Sequence, residues 1–145
     1  MANYSIVVDR NGLATGTVRY EGTFTFQCPC WWDPGEQIPN GVYAGCSATH
    51  MATKLNPRKR PREGIFLPNV PARTGIFIHY WPGPGADVRV WSDGCALLTD
   101  ADMLRIWNDI SPKNGRNVTV TVQSSLPATM PVAPPGPVPI PYPNT

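Results

Sequence analysis

The sequence is poor in charged residues and has no long apolar run. Only 15% of its 145 residues are charged and the formal net charge is +2, so its composition does not indicate a nucleic-acid partner. No apolar stretch approaches the roughly 20 residues of a membrane-spanning helix, which argues against a role within the membrane. Residues 1–5 lack the basic and then apolar pattern of a secretory signal. We therefore expect synthesis in the cytoplasm without a signal peptide.

Proline and glycine, by contrast, are abundant, with 18 and 13 residues. This content favours short strands joined by turns over a helical fold. Strands are predicted at 4–10, 13–20 and 23–28, with turns at Asn11-Gly12 and Glu21-Gly22 that suit tight hairpins. The chain is therefore predicted to open with an antiparallel meander.

The remaining elements are predicted from apolar runs bounded by proline or glycine. In order, they are a loop at 29–41, a short strand at 42–48, a polar and basic excursion at 52–64, buried strands at 65–67 and 75–80, a helix at 100–110 and a last strand at 117–123. The helix follows Thr99, whose hydroxyl suits an N-cap, and Pro112 ends it. The expected fold class is mainly β with one short helix.

A change of composition marks the end of the predicted domain. Residues 1–125 are expected to form it, whereas 126–145 are rich in proline and carry no charge. Such a segment prefers extended polyproline II conformation and cannot form a core. Two interpretations stay open for 127–145, a surface-draped or disordered tail and a docking strap for a protein partner.

One cysteine and one histidine form a candidate catalytic pair. Cys95 follows Ser92-Asp93-Gly94, and His79 ends an apolar strand 16 residues earlier. A thiol needs a neighbouring base to react as a thiolate near neutral pH, and an imidazole is suited to that task. Gly94 permits a tight turn, so that its N–H and that of Cys95 could face a developing oxyanion. This pattern indicates nucleophilic catalysis.

Further motifs extend this pattern into a family resemblance. The stretch from His79 to Cys95 resembles the signature of L,D-transpeptidase catalytic (YkuD) domains, a histidine, a spacer and then Ser/Thr-x-Gly-Cys. Ile38-Pro39-Asn40-Gly41-Val42-Tyr43 resembles the Thr/Ile-Pro-x-Gly-x-Tyr element of that family, and 117–122 resembles its closing strand. Type VI secretion effectors that attack peptidoglycan, and some phage domains, are similar in outline.

The resemblance implies a fold, a reaction and a location. The fold would be a β sandwich or barrel with one short helix after the nucleophile. Cys95 would form a thioester with a peptidoglycan stem peptide, His79 would be its base, Gly94 would help to bind the oxyanion, and Ser92 would shape the loop. Transpeptidase and carboxypeptidase outcomes are both implied, without a cofactor or metal. The enzyme would act in the periplasm or cell wall after injection or lysis, or as a virion component.

Two positions depart from the family pattern. Asp93 stands where most members have histidine, and Leu97 stands where most have an arginine that supports the site. Arginines elsewhere could replace it, and the sequence offers Arg73, Arg89 and Arg105. The alternative is a non-catalytic structural or adaptor protein of a phage tail, virion or injection apparatus that retains the fold.

Aromatic and polar residues near the pair are candidates for binding the substrate, namely Tyr80, Trp81, Arg89, Trp91 and Asp93. Tandem tryptophans at 31–32 suit either a lid on the core or a platform along the substrate groove.

A second cluster of sulfur ligands invites other interpretations. Cys28, Cys30, Cys46 and His50 offer four ligands of the type that tetrahedral zinc prefers. The same cysteines could instead form a disulfide, Cys30–Cys46 or Cys28–Cys46, or remain free structural thiols.

Overall fold

The computed structural model describes residues 3–83, 85–91 and 95–124. Its elements are β1 (Tyr4–Arg10), β2 (Thr15–Glu21), β3 (Thr25–Trp31), a short 3-10 helix (Pro34–Glu36), β4 (Gly41–Leu55), β5 (Pro61–Leu67), β6 (Ile76–Tyr80), α1 (Val88–Trp91), β7 (Leu97–Leu98), α2 (Asp100–Asp109) and β8 (Val118–Ser124). The predicted extended segment at 126–145 lies outside these ranges. No helix in the described ranges is long and apolar enough to cross a membrane.

The strands close into a barrel in the order β1-β2-β3-β7-β6-β5-β4-β8. Two neighbouring pairs are parallel, β1 with β8 and β6 with β7, and the others are antiparallel. Strand β1 shows how sequence alternation builds the interior, because Tyr4, Ile6 and Val8 are buried at every second position. Inward residues of the other strands complete one apolar core.

The mainly β fold predicted from sequence is confirmed, and so is its opening meander. Strands β1, β2 and β3 pair antiparallel in succession, as the turn residues indicated. The predicted helix is α2, which begins after Thr99, whose hydroxyl accepts the N–H of Asp102 at 3.3 Å. The four-residue helix α1 was not predicted.

The strand predicted at 42–48 is present but longer than expected, and the polar excursion predicted at 52–64 was wrong. Instead of a short strand and a basic excursion, β4 runs for 15 residues and pairs with β5 in a long hairpin. At the turn, the side-chain carbonyl of Asn56 accepts the N–H groups of Arg58 and Arg60 at 2.8 and 3.2 Å. Residues 52–55 of the arm are exposed. A strand with solvent on both faces lacks the alternation of apolar and polar residues from which strands are recognised.

The carboxylate of Asp109 fastens α2 to the turn between β2 and β3. It accepts the Tyr20 hydroxyl at 2.5 Å, the Thr23 N–H at 2.9 Å and the Thr23 hydroxyl. Space is tight beside it, since a Cβ on Gly22 would clash with the Tyr20 hydroxyl and an Asp109 oxygen. The helix that follows the candidate site is thereby fixed to the barrel.

Replacing Asp109 tests this attachment. We expect Asp109→Ala to lower the free energy of unfolding by about 2–3 kcal/mol, because it leaves the Tyr20 hydroxyl without its charged acceptor. Asn108→Ala, an exposed neighbour on the same helix, is the control and should change stability by less than about 0.5 kcal/mol. Urea unfolding measures both, and equal effects of the two substitutions would contradict the attachment.

Candidate active site

Strand pairing brings His79 close to the segment that carries Cys95. His79 lies opposite Leu97 in the parallel pair of β6 and β7, and its N–H donates to the Ala96 carbonyl at 3.3 Å. Cys95 precedes Leu97 by two residues, so the backbone that carries it continues directly into the strand that pairs with His79.

The imidazole of His79 is buried and held by backbone carbonyls. It is 2% exposed, and its Nδ1 lies 2.8 Å from the Tyr80 carbonyl. A carbonyl only accepts, so Nδ1 carries the proton in the neutral ring and Nε2 is the basic nitrogen. The Trp91 carbonyl also faces the ring, at the start of the segment that leads to Cys95.

The surroundings keep this histidine neutral. Burial lowers the pKa of His79 to about 4, the two carbonyls oppose the shift, and the positive charges of Arg62 and Lys54 add to it. At neutral pH the ring is therefore uncharged.

Cys95 lies in the apolar interior, 5% exposed. Its side chain lines a narrow crevice at one end of the barrel, together with Val8, Arg10, Trp32, Ile38 and Val122. The crevice is mostly apolar, which on its own would disfavour a thiolate.

Arg10 is the polar member of that crevice, and sequence analysis missed it. The side chain is buried, with Nη1 donating to the Ile38 carbonyl at 2.9 Å and Nη2 to Asn40 Oδ1 at 2.5 Å. Among the residues that the structure describes, its Nε has no hydrogen-bond partner. The available signal was alternation, because Arg10 occupies the inward register of Tyr4, Ile6 and Val8.

The three arginines that sequence analysis offered lie elsewhere. Arg73 contacts Glu36, Arg89 pairs with Asp87, and Arg105 packs over Phe24 and Phe26. None of the three lines the crevice that contains Cys95. Closure of the barrel brings Arg10, at the end of β1, to that crevice instead.

The residues predicted to bind substrate fall into separate places. Tyr80 and Trp91 pack edge to face at 5.4 Å, and the Arg62 guanidinium lies 4.7 Å from the Trp91 ring centre. Arg89 is exposed, and Asp93 lies outside the described residues, as do Ser92 and Gly94.

Trp81 does not face an open groove. It is 3% exposed, and its ring centre lies 4.7 Å from that of Trp31. Trp32 is buried in the core beside Cys95. The tandem tryptophans therefore divide their roles, since Trp32 fills the core and Trp31 covers Trp81.

The other cysteines are free and buried. Burial raises the pKa of Cys28 and of Cys30 to about 12 and that of Cys46 to about 11. In the described part of the chain no three His, Cys, Asp or Glu side chains are grouped to hold a metal. His50 instead packs against Trp107, with ring centres 4.9 Å apart. Cys28, Cys30, Cys46 and His50 therefore form no zinc site in this structure, and the cysteines form no disulfide.

Comparison with known proteins places the fold. A family model described as the L,D-transpeptidase catalytic domain (YkuD) matches residues 8–132. The fold is similar to the crystal structure of an L,D-transpeptidase (Yku) from Stackebrandtia nassauensis, with a TM-score of 0.53 and 15% identity. That match covers 83% of this chain and 55% of the other, so this chain spans about half the length of that protein. No curated protein matches the sequence.

The depressed pKa of His79 predicts a loss of stability in acid. Between pH 6.5, the ordinary pKa, and about 4, the unfolded chain binds a proton that the folded chain does not. Stability should therefore fall as the pH drops through this window. From pH 7 to 5 we expect this histidine to remove about 2 kcal/mol from the free energy of unfolding.

Urea unfolding at the two pH values measures the effect. His79→Gln should lose most of this pH dependence, whereas His50→Gln, at the exposed second histidine, should retain it. An unchanged pH dependence in His79→Gln would contradict the proposed state of the imidazole.

Proposed function

Because the chain belongs to the family of L,D-transpeptidase catalytic domains, we propose that it transfers acyl groups of peptidoglycan stem peptides through a thioester on Cys95. The observation that carries the proposal is the pairing of β6 with β7, which sets His79 beside the segment containing Cys95. The imidazole is uncharged at neutral pH, as a group that accepts a proton must be.

In the first half-reaction, Nε2 of His79 accepts the thiol proton while Sγ attacks an amide carbonyl of the stem peptide. The N–H groups of Gly94 and Cys95 would hold the oxyanion of the tetrahedral intermediate. The imidazolium then returns its proton to the leaving amine, the carbon–nitrogen bond breaks and the thioester remains.

The Tyr80 carbonyl has a defined part in this cycle. Its contact with Nδ1 at 2.8 Å fixes the ring orientation and stabilises the transient imidazolium. Burial opposes a lasting positive charge on the ring. Both effects favour prompt return of the proton to the departing amine.

In the second half-reaction an acceptor attacks the thioester carbonyl and His79 removes its proton. The carbon–sulfur bond then breaks, and the imidazolium returns the proton to Sγ of Cys95. An amine acceptor gives transpeptidation or exchange. Water as acceptor gives hydrolysis, which is carboxypeptidase or endopeptidase activity. The half-buried pair of Tyr80 and Trp91, with Arg62 stacked on it, is proposed to contact the peptide because it adjoins His79. Action on this substrate would occur in the periplasm or cell wall.

The structural alternative gains no support from the described residues. A phage-tail or adaptor role would leave the buried His79 and its contact with the Tyr80 carbonyl unexplained. The relation to secretion effectors and phage domains, and the route of delivery, stay predictions from the sequence.

Substitution of Cys95 tests the proposed function. We expect Cys95→Ala to reduce release or exchange of the terminal D-alanine of purified muropeptides by more than about a thousandfold, because the other three thiols are buried and protonated. Mass spectrometry of the muropeptides measures both products.

The matched control is Cys46→Ser, whose hydroxyl can keep the contact of the Cys46 thiol with the Tyr43 carbonyl. This variant should retain activity within a few-fold of the unmodified protein. Turnover that persists unchanged in Cys95→Ala would overturn the mechanism.

A further inference from the structure

We propose that Arg10 is a positioning residue that stabilises the thiolate of Cys95, in place of the arginine that Leu97 has displaced. The inference rests on the proposed function of Cys95 as a nucleophile. Three observations carry it: the crevice that both side chains line, the burial of the guanidinium and its unpartnered Nε.

Burial of a charged guanidinium costs free energy, and the hydrogen bonds of Arg10 offset only part of that cost. Arg10 is 7% exposed, and burial lowers its pKa. Its two hydrogen bonds reach neutral oxygens of Ile38 and Asn40. Among the described residues it forms no salt bridge with a carboxylate, although a buried charge usually needs an opposite one.

Cys95 can supply that opposite charge. Of the groups that act on Arg10 electrostatically, Cys95 has the largest effect, followed by Tyr43 and Cys30. A thiolate in this crevice would lack water to solvate it. The nearby guanidinium stabilises the negative charge instead.

The other titratable groups around the crevice stay neutral at pH 7. Burial raises the pKa of Tyr43 above its ordinary value of 10 and that of Cys30 to about 12. In the part of the chain that the structure describes, Arg10 is thus the charged member of this set. Asp93 lies outside that part.

The attachment of Arg10 also gives the motif at 38–43 a role. The Ile38 carbonyl and the Asn40 side chain hold the guanidinium, and the Tyr43 hydroxyl donates to the Pro39 carbonyl at 2.5 Å. These contacts fix the guanidinium at the end of the barrel where Cys95 lies. The motif therefore acts on the thiol through Arg10.

The experiment measures the pH at which the Cys95 thiolate forms. Ultraviolet thiolate absorbance is titrated in the protein and in its Cys95→Ser counterpart, and the difference isolates Cys95 from the other three thiols. Arg10→Gln should raise the midpoint by about one pH unit, whereas Arg10→Lys, which keeps the charge, should stay within about half a unit of the parent.

Arg19→Gln is the matched control, because Arg19 lies on the neighbouring strand β2 with its side chain 55% exposed and paired with Glu21. Its midpoint should not move. A role of Arg10 as a structural anchor alone would lower the unfolding temperature in both Arg10 variants and leave the midpoint unchanged, or shift it equally in both. Either result overturns the inference.

Two further results would separate the role of the charge from folding and from turnover. If Arg10→Gln does not fold, Arg10→Lys decides, since a retained midpoint supports a role of the charge and a rise of a full unit overturns it. If the midpoint shifts as expected but the parent protein turns over no muropeptide, the proposed function fails and this inference stands. Turnover with an unshifted midpoint contradicts this inference alone.

Discussion

Strand β7 is only two residues long, yet barrel closure and the candidate site both depend on it. It lies between β3 and β6, with Leu97 opposite both Trp31 and His79. Hydrogen bonds from the His79 N–H to the Ala96 carbonyl and from the Trp81 N–H to the Leu98 carbonyl hold it in register. A slip of one residue would turn each side chain to the other face, so one short pairing sets both the closure of the sheet and the position of the Cys95 segment relative to His79.

Sequence reasoning succeeded where short-range chemistry decides the structure. Asn11-Gly12 correctly marked the connection between β1 and β2, although neither residue adopts the positive φ of the tight turn expected there. The Thr99 hydroxyl predicted the start of α2. The strand that carries His79 was evident as an apolar run. The hairpin arm of β4 was missed because its outer residues are exposed on both faces. Its turn is held by the Asn56 side chain, and such a contact leaves no apolar pattern in the sequence.

The site was predictable only in its local part. A histidine at a strand end and a cysteine after glycine suggested a catalytic pair, which stays a prediction. The approach of Arg10 to Cys95 spans 85 residues of sequence and exists only once the barrel has closed. Burial also separates the four thiols chemically. Cys28, Cys30 and Cys46 are held protonated by their apolar surroundings, whereas Cys95 shares its crevice with a cation.

The position of β8 bears on how the domain can be made. This strand, near the end of the described chain, lies between β1 and β4. Until residues 118–124 emerge from the ribosome, both of those strands have an unpaired edge, and such edges pair readily with other chains. The barrel therefore completes its fold after translation of nearly the whole domain, and a nascent or truncated chain that stops before Val118 exposes two surfaces prone to aggregation.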